Sequence, residues 1–245
     1  LQVTGDIYSR GSFGFSANSN YAWRYKNKGN MRFDYTKIRN GFREAPSTYS
    51  ESDNIWIEWD HQQDPKAHPF SSFSADVNAG SQNNFQNNIN TSSQNYLSTN
   101  FKSNINYSYR FPNSPFSATL NASHEQNRRD TTISITAPQT TLNMSRIFPF
   151  KRQAAVGKEL WFEKIGLTYS NNFYNTVRTR EDELFTPQTL DKLQYGMQHQ
   201  AQLNANYKFL NYLTFSPRVT GSDYWSFKTV NTEWNNADSA LVRDT

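Results

Sequence analysis

From residue 11 onward the chain alternates, and no other feature limits its fold as much. Every second residue gives Phe13, Phe15, Ala17, Ser19, Tyr21, Trp23 and Tyr25, while Ser12, Gly14, Ser16, Asn18, Asn20, Ala22 and Arg24 lie between them. A period of two puts these sets on opposite faces of a strand. One face is aromatic at both ends and small in the middle. The other is almost entirely polar.

The same period returns along the whole sequence. Met31, Phe33 and Tyr35 form one run; Ile55, Ile57 and Trp59 the next; Phe73, Ala75, Val77 and Ala79 another. The longest places Leu97, Thr99, Phe101, Ser103, Ile105, Tyr107, Tyr109 and Phe111 opposite Ser98, Asn100, Lys102, Asn104, Asn106, Ser108 and Arg110. Phe116 to Ala122, "TISIT" with "TLNMSRIF", Ile165 to Phe173, Ala201 to Phe209 and "YLTFSPRVTGSDYWSFK" complete the series. With "LQVTGDIYS" as the first, this predicts about eleven strands. Only "TPQTLDKLQYG" reads as a short helix.

Links between strands tend to alternate in length. "NKG", "PNSP" and "LNY" are short, whereas residues 40–53, 80–94 and 175–195 are long and polar. The links 60–69 and 149–163 break that rule. An up-and-down meander with short turns at one end and long loops at the other is the pattern of an outer-membrane barrel.

The aromatic spacing supports that reading. Phe13 with Phe15, and Tyr21 with Trp23 and Tyr25, are centred about nine residues apart, or about 30 Å along a strand. A tilt of about 40° reduces this to about 23 Å, close to the roughly 25 Å apolar band of such barrels. Tyr107, Tyr109 and Phe111 repeat the girdle at the short-turn side. A soluble sandwich would place its aromatics mid-strand. The lipid-facing girdle is therefore expected at Phe13, Phe15, Tyr21, Trp23, Tyr25, Tyr107, Tyr109 and Phe111. The lumen-facing set is expected at Asn18, Asn20, Arg24, Asn100, Lys102, Asn104 and Asn106. In lipid every backbone polar group must pair within the sheet, so such a sheet must close.

Composition agrees. Only 35% of the 245 residues are hydrophobic, but 16% are aromatic. Disordered chains are poor in aromatics, so this chain folds around few, large apolar groups. It has no cysteine, which excludes disulfides, thiol catalysis and Cys-ligated zinc. The net charge of +4 is no nucleic-acid signature. No run of about 20 apolar residues reads as a membrane helix. The start at Leu1 suggests a beginning inside a longer protein.

Catalytic signals are weak. Glu58, Asp60, His61, Asp64 and His68 match no metal spacing, and a polar turn below the barrel is the simpler reading. Ser123, His124 and Glu125 are consecutive on a strand and point to alternate faces, so they cannot converge as a triad. There is no G-x-S-x-G and no phosphate-binding loop. No catalytic residue, metal or cofactor is expected. Arg24, Lys26, Lys102, Arg128, Arg129 and Arg146 could meet anionic headgroups or serve as ordinary loop and lumen charges.

"TGDIYSRGSFGFSANSNYAWRYKNKG", "IEWDHQQDPKAHPFSSFSADVNAGS", "SYRFPNSPFSATLNASHEQN" and "NMSRIFPFK" together resemble the barrel of the lipopolysaccharide-assembly LptD family, in the branch found in Bacteroidota. The resemblance implies an all-β, antiparallel up-and-down transmembrane barrel with about twice these strands. Residues 1–245 would be one partial barrel domain, its N-terminal part, ending inside an external loop. It implies an integral outer-membrane location, lipopolysaccharide as substrate, a plug lipoprotein (LptE-like) in the lumen and a periplasmic bridge protein of the same pathway. Substrate would leave through a lateral seam whose edge here is Asp6, Ile7, Tyr8, Ser9 and Arg10. Relatives weaken that edge with early prolines; here none precedes Pro46, and Gly5, Gly11 and Gly14 could substitute. Relatives also carry disulfides, which this chain cannot form. A porin-like or nutrient-uptake barrel, and a soluble all-β adhesin or carbohydrate-binding module, stay open at this point.

Overall fold

In a computed structural model, the described residues are 1–8, 11–42, 47–81, 100–127, 129–152, 157–209, 212–228, 231–235 and 240–244. Nearly all of the structure is β. The strands are β1 (Gln2–Ile7), β2 (Phe13–Trp23), β3 (Asn27–Asn40), β4 (Ser50–Gln63), β5 (Ser71–Gly80), β6 (Asn100–Arg110), β7 (Phe116–Asn127), β8 (Thr132–Ile147), β9 (Gly166–Arg180), β10 (Gln194–Asn204), β11 (Tyr207–Phe209), β12 (Leu213–Phe215), β13 (Arg218–Ser226), β14 (Asn231–Asn235) and β15 (Ala240–Asp244). The expected helix is a single short one, α1 (Pro187–Asp191). No helix among the described residues is long and apolar enough to cross a membrane.

Ten strands in sequence order, then β13, make one eleven-stranded sheet. β1 and β13 are its edges. This is the architecture of part of an antiparallel β-barrel, and its strand count matches the count of alternating segments. The chain divides into two compact units. One comprises 1–107, 122–135 and 178–189; the other comprises 108–121, 136–177 and 190–245.

In the first unit β1 pairs β2 from Gln2↔Asn18 to Ile7↔Phe13. The turn that follows β1 closes with Tyr8 N–H on Ser12 O (2.9 Å) and Gly11 N–H on Tyr8 O (2.9 Å). Gly11 takes φ 79° there, a region other residues avoid. β2 pairs β3 over eleven residues and β3 pairs β4 over fourteen. The β2–β3 turn lies three residues earlier than "NKG". Trp23 pairs Asn27, and Arg24, Tyr25 and Lys26 form the loop with Tyr25 at φ 62°. The left-handed residue reverses the chain before the glycine is reached, so Gly29 stays in β3.

The period of two breaks within β6. Ser103 Oγ accepts from Asn78 N–H (2.9 Å) and donates to Asn78 O (3.1 Å), so a side chain takes both backbone groups of that β5 residue. Close by, Phe101 is buried against Trp56, with ring centroids 4.7 Å apart. Trp56 lies on the opposite face of β4 from Ile55, Ile57 and Trp59. Strict alternation would have grouped Phe101 with exposed Tyr107.

In the second unit β10 pairs β9 over eleven residues and β13 over nine. "YLTFSPRVTGSDYWSFK" is not one strand. It holds β12 and β13, and β11 and β12 form a separate two-stranded hairpin. Tyr207↔Phe215 continues the register of Asn204↔Arg218, so the ladder lapses without slipping. Pro217 has no N–H to give at the break, although its carbonyl still accepts from Ala205 N–H (3.1 Å).

No thick core forms. Among the described residues the buried hydrophobic side chains are Trp56, Ala75, Phe101, Ile133, Val177 and Ala205, while Trp23, Phe15, Trp161 and many others are exposed. The rings do not meet in a dry interior between two sheets.

Candidate lipid-facing surface and edge strand

The odd-numbered face of β2 to β5 is built in three bands. At the long-link end Phe13 contacts Tyr35 (5.9 Å between centroids) and Phe15 contacts Phe33 (6.4 Å), each one step diagonal across the ladder. In the middle Ala17 faces Phe33, which faces Ile57, and Met31 lies between Ser19 and Trp59. At the short-turn end Tyr21, Trp23, Trp59, His61 and Phe73 form a continuous patch with centroid separations of 5.3 to 6.2 Å. Phe13, Phe15 and Trp23 are exposed, and Tyr21 is half-buried beneath its neighbours.

A glycine makes the second patch possible. Tyr21 faces Gly29, which faces His61. A Cβ at Gly29 would stand 2.3 Å from Tyr21 Oη, so the Tyr21 ring lies across the space that a side chain would fill. Its hydroxyl thereby reaches His61 Nδ1 (2.6 Å) and accepts from Trp59 Nε1–H (2.9 Å). Polar tips satisfy each other while ring bodies stay apolar, the chemistry of a membrane interface. His61 is therefore on β4 within the girdle, and not in a turn.

The second unit repeats this chemistry. Tyr169 Oη meets His199 Nδ1 (2.7 Å), and His199 packs on Trp225 (4.9 Å). On the opposite face of β10, Tyr174 covers Gly196, where a Cβ would stand 2.9 Å from its Oη. The sequence reading missed His61 and His199 as members of these aromatic patches. The available signal was a histidine on the aromatic side of an alternating strand.

The other predicted residues fall as follows. Tyr25 and Arg24 sit in the β2–β3 turn, with the Arg24 guanidinium 4.7 Å and Lys66 Nζ 5.4 Å from the Tyr25 ring centre. Tyr107 and Phe111 are exposed, and Tyr109 packs edge-on to Phe111 (5.1 Å). Asn18 and Asn20 both accept from Asn30 Nδ2, the Asn18 bond at 3.2 Å. Asn100, Lys102 and Asn104 are exposed and Asn106 half-buried; Lys102 Nζ pairs with Glu125 at 3.1 Å. On the even face of β3 and β4, Asp34, Thr36 and Asn54 are buried polar groups, and Asp34 is paired with Arg32 at 2.8 Å.

Of the expected edge, Asp6 and Ile7 lie in β1, opposite Gly14 and Phe13. Tyr8 begins the turn. Ser9 and Arg10 lie outside the described residues. Ile7 is 89% exposed.

No catalytic or metal arrangement assembles from the candidates. His124 Nδ1 approaches Ser103 Oγ (3.4 Å) while Glu125 pairs with Lys102, so these neighbours engage different partners. Asp64 and His68 cap their own link, accepting from Lys66 N–H (2.8 Å) and Phe70 N–H (3.3 Å). Among the described residues no three His, Asp or Glu side chains converge as a metal site.

A family model described as LptD protein matches residues 1–245. The chain belongs to the LptD family. No curated protein and no solved structure matches it. LptD proteins act in lipopolysaccharide transport at the outer membrane of Gram-negative bacteria, and lipopolysaccharide is the pathway's substrate.

Between β8 and β9 the LptD chain carries a polar clamp. Arg152 donates to Glu163 through Nε (2.7 Å), Nη2 (3.1 Å) and its backbone N–H (3.3 Å), and Leu160 N–H adds a bond of 2.6 Å. The Arg152 guanidinium, then the Leu160 amide, hold the Glu163 carboxyl down to about 2. The clamp shapes the 3-10 turn Trp161–Lys164 and turns Trp161 outward.

Proposed function

We propose that residues 1–245 form one partial barrel domain of an outer-membrane translocon that inserts lipopolysaccharide into the outer leaflet through a lateral seam. The observation that carries this is β1. It is an edge strand of the sheet, and its partners in β2 include Gly14, which has no side chain of its own. An edge with little cross-strand packing opens at low cost.

In this reading Asp6, Ile7 and Tyr8, with Ser9 and Arg10, border the seam. The odd-face girdle, including Phe13, Phe15, Tyr21 and Trp23, fixes the height of the barrel in lipid. Asn18, Asn20, Asn100, Lys102, Asn104 and Asn106 face a wet lumen, with Arg24 at its short-turn mouth. A plug lipoprotein occupies that lumen, and a periplasmic bridge protein delivers substrate from the short-turn side. The work is transport, driven from elsewhere in the pathway, with no bond made or broken by this chain.

The test is a photoreactive residue at Ile7 or Tyr8 of the full-length protein in cells. The expected result is a lipopolysaccharide adduct at these positions and none at Met31, mid-barrel. No adduct at Ile7 or Tyr8, in cells where neighbouring transport proteins do crosslink, overturns the seam. Ion conductance without the lipoprotein, together with normal surface lipopolysaccharide after depletion, would favour a porin-like barrel.

A further inference from the structure

The second unit holds an apolar groove that the transport reading leaves unused. It measures about 520 Å³, within the roughly 300–1,000 Å³ range of sites that hold a ligand. Leu203 and Val219 face each other across β10 and β13, and Tyr207 faces Phe215 across the β11–β12 hairpin. Ala205, 7% exposed, is set between these pairs at the Pro217 break, and Trp161 of the β8–β9 link lies alongside. The wall is bolted in place: Tyr207 Oη donates to Trp161 O at 3.0 Å, and the Arg152–Glu163 clamp holds the turn that presents Trp161.

Three observations fix the chemistry of the occupant. The lining is apolar, and the one polar side chain besides Tyr207 is Asn204. A peptide or strand laid there would bury backbone N–H and C=O groups against side chains that cannot pair them, which is costly. Hydrocarbon has no such need. The groove also continues the face of β10 and β13 that carries His199 and Trp225, through Leu203 and Val219, and in this reading that odd-numbered face is the one turned to the membrane. Finally, exposed Lys164 lies in the same turn as Trp161. A cation near an apolar slot suits a phosphate headgroup above an acyl chain.

We propose that this groove seats one acyl chain of a phospholipid of the periplasmic leaflet, with Trp161 and Tyr207 as interfacial anchors at its mouth. The links beside it, β8–β9 and β11–β12, are of the short-turn side, which in such barrels is periplasmic. This inference rests on the odd face being lipid-facing.

The full-length protein in phosphatidylethanolamine vesicles, doped with the same lipid bearing a diazirine in one acyl chain, is the test. Photolysis is expected to concentrate adducts on residues 203–219 over the rest of the odd face. Ala205→Trp, which fills the floor, is expected to reduce them several-fold; should it fail to fold, by heat-modified mobility, Ala205→Met gives the same reading. Adducts spread evenly over the odd face, or unchanged in the filled variant, overturn the groove alone. Adducts nowhere on the odd face overturn the membrane-facing assignment as well. In vesicles holding both lipids, preferential capture of diazirine-labelled lipopolysaccharide overturns the phospholipid assignment. Surface display of lipopolysaccharide, measured in the same strains, reports on the seam independently.

Discussion

The two edge strands of the sheet are built differently. The neighbour of β1 places Gly14 and Ser16 opposite Asp6 and Thr4. β13 pairs over nine residues, is followed in register by the β11–β12 hairpin, and has Trp225 packed on His199. Both strands use the same backbone hydrogen bonds. They differ in what the side chains add across the ladder, where sheet stability is decided. A strand with fewer side-chain contacts across the ladder is one that can part from a neighbour. A strand carrying an aromatic contact, as Trp225 does on His199, is held more firmly.

The largest expected effect comes from disturbing a glycine seat on the strong side. Gly196→Val drives a side chain into the space where a Cβ already stands 2.9 Å from Tyr174 Oη and 3.1 Å from Trp225 O. The expected cost is about 1–3 kcal/mol, read as a lower urea midpoint in phospholipid vesicles. An unchanged midpoint would erase the contrast between the edges.

Next comes the clamp beside the groove. In the unfolded chain the Glu163 carboxyl titrates near 4.5; in the fold it titrates at about 2. Its folded pKa is lowered, so its contribution is complete above about 4.5 and is lost as pH falls toward 2. Wild type is expected to be more stable than Glu163→Gln at pH 7, and the two should converge near pH 2. Parallel profiles would remove the clamp from the account.

Tyr207→Phe deletes one hydroxyl and its bond to Trp161 O. About 0.5–1.5 kcal/mol is expected, together with faster amide exchange in β11 and β12. The smallest effect belongs to the weak edge. A Cβ at Gly5 would meet only Gly14 O at 4.0 Å, so Gly5→Ala should shift the midpoint by less than about 0.5 kcal/mol. If Gly5→Ala instead matched Gly196→Val, β1 would be a packed strand and a poor seam.

How much was legible beforehand depends on the range of the interaction. Phe13, Phe15, Tyr21 and Trp23 were readable as one face because pleating is fixed by the chain itself. The same holds for the eleven alternating segments and for the short helix after Thr186. The Gly11 turn carried its own signal. His61 was misplaced because its neighbours in sequence, Asp60 and Gln62, are polar, and its true neighbours, Tyr21 and Gly29, belong to other strands. Phe101 was grouped with Tyr107 because nothing local announces that Ser103 would take the backbone of Asn78. The groove could not be foreseen, since Trp161 and Phe215 are far apart in the chain.

The amino-acid order alone therefore determined the strand period, the two-faced chemistry and the absence of a thick core, since each follows from which residues alternate. Tertiary structure decided which rings touch, where histidines find hydroxyl partners, where the ladder lapses at Pro217 and which edge is thin. Those depend on cross-strand register, and register is set by the summed fit of many side chains on neighbouring strands.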